Sequence, residues 1–154
     1  MDGVLADFDK HFENLYGISP KGYEAKHGQI AFWRTIYKTP RYFEDIPINP
    51  KVYDIINMCK ALTLDVCILS SPSSTNQPLC MLGKRKWIDK HLGVDFPAIF
   101  EKHKEKYAEP TALLVDDYDK QINNFTNAGG RAFKYDMNKH EEFEDFMLQL
   151  SEGK

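Results

Sequence analysis

From residue 51 onward the chain alternates between helix-like stretches and short apolar runs. Two of these runs constrain the fold most. LDVCILSS (64–71) and TALLVDD (111–117) are apolar without polar alternation, which fits strands covered on both faces, with Cys67 as packing. PAIFE and RAFKYD read as two further short strands. Between them, GKRKWIDKHLG reads as a helix closed by Gly93, YDKQINNFTNAGG as a helix ending at Gly129 and Gly130, and KHEEFEDFMLQL as an acidic amphipathic helix. This order predicts an α/β fold with a mostly parallel sheet. Ligands of such sheets sit outside the carboxyl ends of the strands. Polar residues collect there: Asp2 after the opening stretch, Ser70 and Ser71 after VCIL, Asp116 and Asp117 after LLV.

The first third of the chain departs from this alternation. DKHFENLYG reads as a helix with Gly17 as its C-cap, and QIAFWRTIYK as one amphipathic helix. NPKVYDIINMCKAL is a stronger helix, with Pro50 in its first turn and Val52, Ile55, Ile56, Cys59 and Leu62 at helical spacing. The aromatic- and Pro-rich stretch between these reads as an insertion after the first strand. The expected organisation is a single domain over 1–154, with a core of 1–13 and 51–154 and a helical cap over about 14–50.

Composition excludes several classes of function. A net charge of −3 leaves no basic footprint for a nucleic-acid polymer, although KHKEK could hold a small anion. No apolar run approaches the roughly 20 residues of a membrane span, and Asp2 and Asp7 break the apolar start that a signal peptide needs. Cys59, Cys67 and Cys80 form no CxxC pair and read as reduced thiols of a cytoplasmic protein. The five histidines show no metal-ligand spacing and read as surface or loop residues.

Carboxylates that converge at strand ends repel unless a cation lies among them, and a hard ion with oxygen ligands, Mg²⁺, suits them. Hydroxyls and N–H groups at Ser70 and Ser71 could hold a phosphoryl group, with Lys84 or Lys106 neutralising its charge; phosphoryl transfer needs such positioning and charge stabilisation. Each part also has a plainer reading. The Asp-Gly of MDG is a common turn, SSPSS a Ser/Pro loop, KRK a solvated face, and the DD pair an N-cap for the helix after it. Phe32 and Trp33 suit a packed cap as well as a planar ligand. The order of the parts is more specific than any one of them: turn Asp, strand Ser, Lys, strand Asp-Asp. A response-regulator receiver would carry its acidic pair early and its lysine last.

With MDGVLADF, ILSSP, KRKWIDKHLG and KYAEPTALLVDD in that order, the chain resembles the haloacid-dehalogenase superfamily. Within it the chain looks most like the 5′(3′)-deoxyribonucleotidases, with FW and PRYFEDIPINPKVYDII similar to that family's helical cap. The resemblance implies a three-layer Rossmann-like parallel sheet with a small helical cap inserted after the first strand. It implies Mg²⁺-dependent hydrolysis of a small phosphomonoester, a deoxyribonucleoside monophosphate. Asp2 would be the general acid/base and a metal ligand, with Asp116 and Asp117 completing the metal set. Ser70, Ser71, Lys84 and Lys106 would hold the phosphate, and Phe32 and Trp33 the base. A homodimer is compatible with the sequence.

The resemblance has one gap. The family's nucleophile, which forms an aspartyl-phosphate, is an Asp two residues before the place of Asp2. This sequence holds no residue there, nor the apolar strand leading to it. Asp7 and Asp9 lie five or more residues past Asp2 and do not substitute. The expectation is little or no turnover by the chain as given, with its opening motif entered midway. The alternatives are a non-catalytic relative that binds nucleotide or metal, and a superfamily phosphatase for another phosphomonoester. Without that strand, its neighbours would expose unpaired backbone groups unless the sheet closes around Met1–Val4.

Overall fold

A computed structural model describes residues 1–63 and 65–153. Leu64, which opens the first of the two apolar runs, lies outside them. The elements in chain order are α1 (Phe8–Tyr16), α2 (Pro20–His27), α3 (Gln29–Lys38), α4 (Val52–Leu62), β1 (Ile68–Ser70), α5 (Gln77–His91), β2 (Ala98–Phe100), β3 (Leu113–Asp116), α6 (Asp119–Asn127), β4 (Arg131–Lys134) and α7 (His140–Glu152). The α/β alternation after residue 51 is present, and among the described residues the four strands pair in parallel.

Local chemistry accounts for most boundaries. Asp7 caps α1 by accepting from Lys10 N, and Gly17 ends it with φ +71°. Helix α2 was not foreseen, although Ser19 as N-cap followed by Pro20 is its ordinary start signal. Helix α4 buries Val52, Ile55 and Ile56, the stripe expected from their spacing. Helix α5 begins at Gln77, earlier than the run GKRKWIDKHLG.

The sheet differs from expectation. The strands form two separate two-stranded parallel sheets: β1 with β2, in register Ile68↔Ala98 to Ser70↔Phe100, and β3 with β4, in register Leu113↔Arg131 to Asp116↔Lys134. β1 covers only Ile68–Ser70, and Cys67 before it is exposed rather than packed. β3 alternates, with Leu114 and Asp116 buried and Leu113 and Val115 half-buried. The two apolar runs are thus only partly enclosed.

The described chain packs as two compact units. The first comprises Met1–Leu5, Asn49–Ser71 and the chain from Pro97 onward. Its core includes Val4, Leu5, Val52, Ile55, Ile68, Leu114, Phe125, Tyr135, Phe143 and Met147. Burying a side chain of the Ile or Phe class contributes about 1.5–3 kcal/mol. The second comprises Ala6–Ile48 and Pro72–Phe96, so the helical insertion shares a unit with α5. An antiparallel bridge between Ala6 and Ile48 joins the two ends of the insertion. Trp87 of α5 is fully buried and donates its indole N–H to Ile46 O at 2.8 Å. Phe12, Phe32 and Tyr23 stack at centroid distances of 5.0–6.4 Å.

Candidate functional site

The carboxyl end of β3 carries a buried ion pair. Asp116 lies two residues after buried Leu114 on the same strand face, and is itself buried. Its Oδ2 accepts from Lys104 Nζ at 2.5 Å, and both side chains are 6% exposed. Burial works against the Asp116 anion, but the Lys104 ammonium and its hydrogen bond outweigh that and hold the carboxyl below its usual range. Asp116 Oδ1 also accepts from Tyr118 N at 3.2 Å.

Lys104 is not the lysine singled out from the sequence. Lys106 is 60% exposed and pairs with Glu101 at 3.3 Å. The segment Lys104–Tyr107 is a 3-10 turn packed on α6. Such a turn rotates about 120° per residue, so positions two apart point to different sides. Lys104 meets the buried carboxylate, and Lys106 meets Glu101 at the surface. The cluster KHKEK marked the region, and the turn selects the residue.

Asp117 as a residue is exposed. Its carboxylate nevertheless stands against the opening turn. A Cβ built on Gly3 would lie 1.9 Å from Asp117 Oδ2. Gly3 also has φ +74°, where only glycine is unstrained. The Asp2–Gly3 turn and Asp117 are thus brought together. Burial of the carboxylate and the Asp116 charge beside it push the Asp117 pKa up to about 7. The N-cap reading of this pair does not hold. Tyr118 is the N-cap residue of α6 and no side chain caps that helix.

Ser70 and Ser71 sit at the carboxyl end of β1 in the same unit. Ser70 is buried, and its carbonyl accepts from Glu101 N at 3.0 Å. Ser71 Oγ lies 3.4 Å from Glu101 O. Lys84, Phe32 and Trp33 belong to the second unit. Lys84 is buried within α5. Phe32 is 4% exposed and packs among Phe8, Phe12, Tyr23 and Trp33. Trp33 lines a cavity of about 400 Å³ with Ile30, Arg34, Tyr37, Thr75 and Asn76, and its buried Nε1 has no hydrogen-bond partner there.

Two carboxylates side by side, one of them holding a proton near neutrality, form a donor set that a divalent cation can share. Among the described residues no three His, Cys, Asp or Glu side chains converge into a ready metal cage. Mg²⁺ does not require one. It binds through one or two carboxylates and completes its shell with water and phosphate oxygens, so the residues present fit it.

No protein-family model matches the chain. The chain is 28% identical over 131 residues to a Bordetella pertussis protein named "Putative 5'(3')-deoxyribonucleotidase", covering 75% of this chain and 70% of that protein. It is 27% identical over 138 residues to the human "5'(3')-deoxyribonucleotidase, cytosolic type", covering 77% of this chain and 68% of the human one. The similarity supports the nucleotidase family read from the motifs. Among the described residues, no helix is long and apolar enough to cross a membrane.

Proposed function

We propose that this chain carries the metal- and phosphate-binding half of a Mg²⁺-dependent phosphomonoester hydrolase of haloacid-dehalogenase type, with a deoxyribonucleoside monophosphate as its ligand. The observation that supports this most is the buried Lys104–Asp116 pair beside Asp117 and the Gly3 turn. Asp116 and Asp117 would hold the ion, with Asp2 beside them. Bound there, Mg²⁺ would supply charge neutralisation for phosphate oxygens. Lys104 holds Asp116 ionised and brings a cation to the same strand end. Ser70 and Ser71, at the carboxyl end of β1 in the same unit, would face the phosphate oxygens. Asp2 would protonate the leaving oxygen and then activate water. The reading assigns no attacking carboxylate among these residues, and it proposes binding with little or no turnover for this chain.

The test is calorimetric titration of Mg²⁺ and then dUMP into the chain, with dUMP and dTMP hydrolysis assayed in parallel. The assay is repeated on a version carrying an apolar run that ends in Asp directly before Met1. Binding by both chains and turnover only by the extended one is the expected result. Equal turnover by both would show that the nucleophile lies within these residues. Binding without turnover by either would favour a non-catalytic nucleotide-binding protein.

A further inference from the structure

Asn49, Tyr135 and His140 are buried polar residues that no step above uses. Their hydrogen bonds converge on the turn that carries Asp2. Asn49 Nδ2 donates to Val4 O at 2.8 Å and to Tyr135 Oη at 3.0 Å. Asn49 N donates to Leu5 O at 2.8 Å, and Asn49 Oδ1 accepts from Lys51 N at 3.0 Å. Tyr135 Oη lies 3.0 Å from His140 Nδ1, and His140 Nε2 lies 3.5 Å from Glu144 Oε1. The carbonyls of Val4 and Leu5 therefore end on one side chain and one amide, 45 and 44 residues further along the chain.

The direction of this chain of bonds is determined by its ends. A carbonyl can only accept, so Asn49 donates at Val4. Its second amide hydrogen goes to Tyr135 Oη, which leaves the Tyr135 O–H to donate onward. In this direction the acceptor is His140 Nδ1, with the imidazole proton on Nε2, 3.5 Å from Glu144 Oε1. The reverse direction would turn the Tyr135 O–H away from His140 and set a bare Nε2 lone pair against the Glu144 carboxylate.

We propose that Asn49, Tyr135 and His140 are positioning residues, a directional hydrogen-bond relay that holds the Asp2–Gly3 turn in place against Asp117. The proposal rests on the functional reading above for what the turn does. The relay itself can be tested without metal or turnover.

Long-range ¹H–¹⁵N spectra of the full chain at pH 8 report the His140 tautomer. The relay requires Nε2–H; an Nδ1–H tautomer overturns it. Amide hydrogen exchange supplies the second readout. Leu5 N donates to Met1 O at 2.8 Å within the turn, so its protection reports the turn's integrity. Tyr135→Phe removes only the hydroxyl. It is expected to speed Leu5 exchange by about tenfold or more relative to Leu114 in β3. Phe143→Leu, which thins the packing on the Tyr135 ring, is the control and should speed both sites together. Equal acceleration at both sites in Tyr135→Phe would mean that the hydroxyl only supports packing, and would overturn the proposal. Mn²⁺ binding by the wild-type chain is measured alongside. Its absence would defeat the metal-site reading, while tautomer and exchange still decide the relay.

Discussion

Lys104 and Lys106 show how much one residue's placement decides. Removing the buried cation in Lys104→Met leaves Asp116 an uncompensated buried charge, which costs about 3–5 kcal/mol. Lys106→Ala, on an exposed pair, should stay within about 0.5 kcal/mol of wild type. Urea unfolding of both variants checks the contrast, and equal effects would refute the assignment. Gly3→Ala adds a Cβ into the Asp117 carboxylate at a positive φ. It should cost about 1–3 kcal/mol and weaken Mg²⁺ binding, both measurable on the purified variant. Four of the five histidines are half-buried or exposed, but His140 is 7% exposed and central to a buried network. Its sequence neighbours did not show this, because Tyr135, five residues before it, meets Asn49 only through folding.

At the scale of elements, the sequence was legible wherever periodicity and caps agree. The spans of α3, α4, α6, β3 and β4 follow the runs QIAFWRTIYK, NPKVYDIINMCKAL, YDKQINNFTNAGG, TALLVDD and RAFKYD closely. The partners of α5 were not legible. Its KRK run looked like a solvated face, yet Lys84 and Gly83 are buried. Gly83 is the contact that permits this, since a Cβ there would lie 2.7 Å from Phe43 Cβ. Gly83→Ala should therefore overpack the second unit and cost about 1–3 kcal/mol. A thermal melt that matches wild type would show that α5 can shift without penalty.

At the scale of the whole molecule, the acidic pair sets a pH dependence with two opposite parts. An unfolded Asp ionises near pH 4. Asp117 ionises near 7 when folded, so between about 4 and 7 the folded chain holds a proton that the unfolded chain has lost. Its contribution to stability falls as pH rises through that window. Asp116, with its folded pKa lowered, contributes stability above the unfolded pKa and loses it as pH falls through the folded one. Urea midpoints between pH 4.5 and 8 should decline more in wild type than in Asp117→Asn. Mg²⁺ at about 100 times its Kd should restore about 2.7 kcal/mol to wild type at pH 8 and little to Asp117→Asn. Identical pH slopes in the two proteins would remove Asp117 from this account.

The sequence by itself determined the α/β order, most helices, and the carboxylates and hydroxyls that stand at strand ends. These follow from local periodicity, capping and the alternation of apolar runs, all of which act within a few residues. Only the tertiary structure decided that Lys104 rather than Lys106 meets Asp116, that the strands pair as two parallel sheets, and that Asn49, Tyr135 and His140 hold the Asp2 turn. Those outcomes depend on the rotation of a single 3-10 turn, on which strand edges meet, and on burial that brings together residues 86 apart in the chain. Local sequence carries no direct record of such distances.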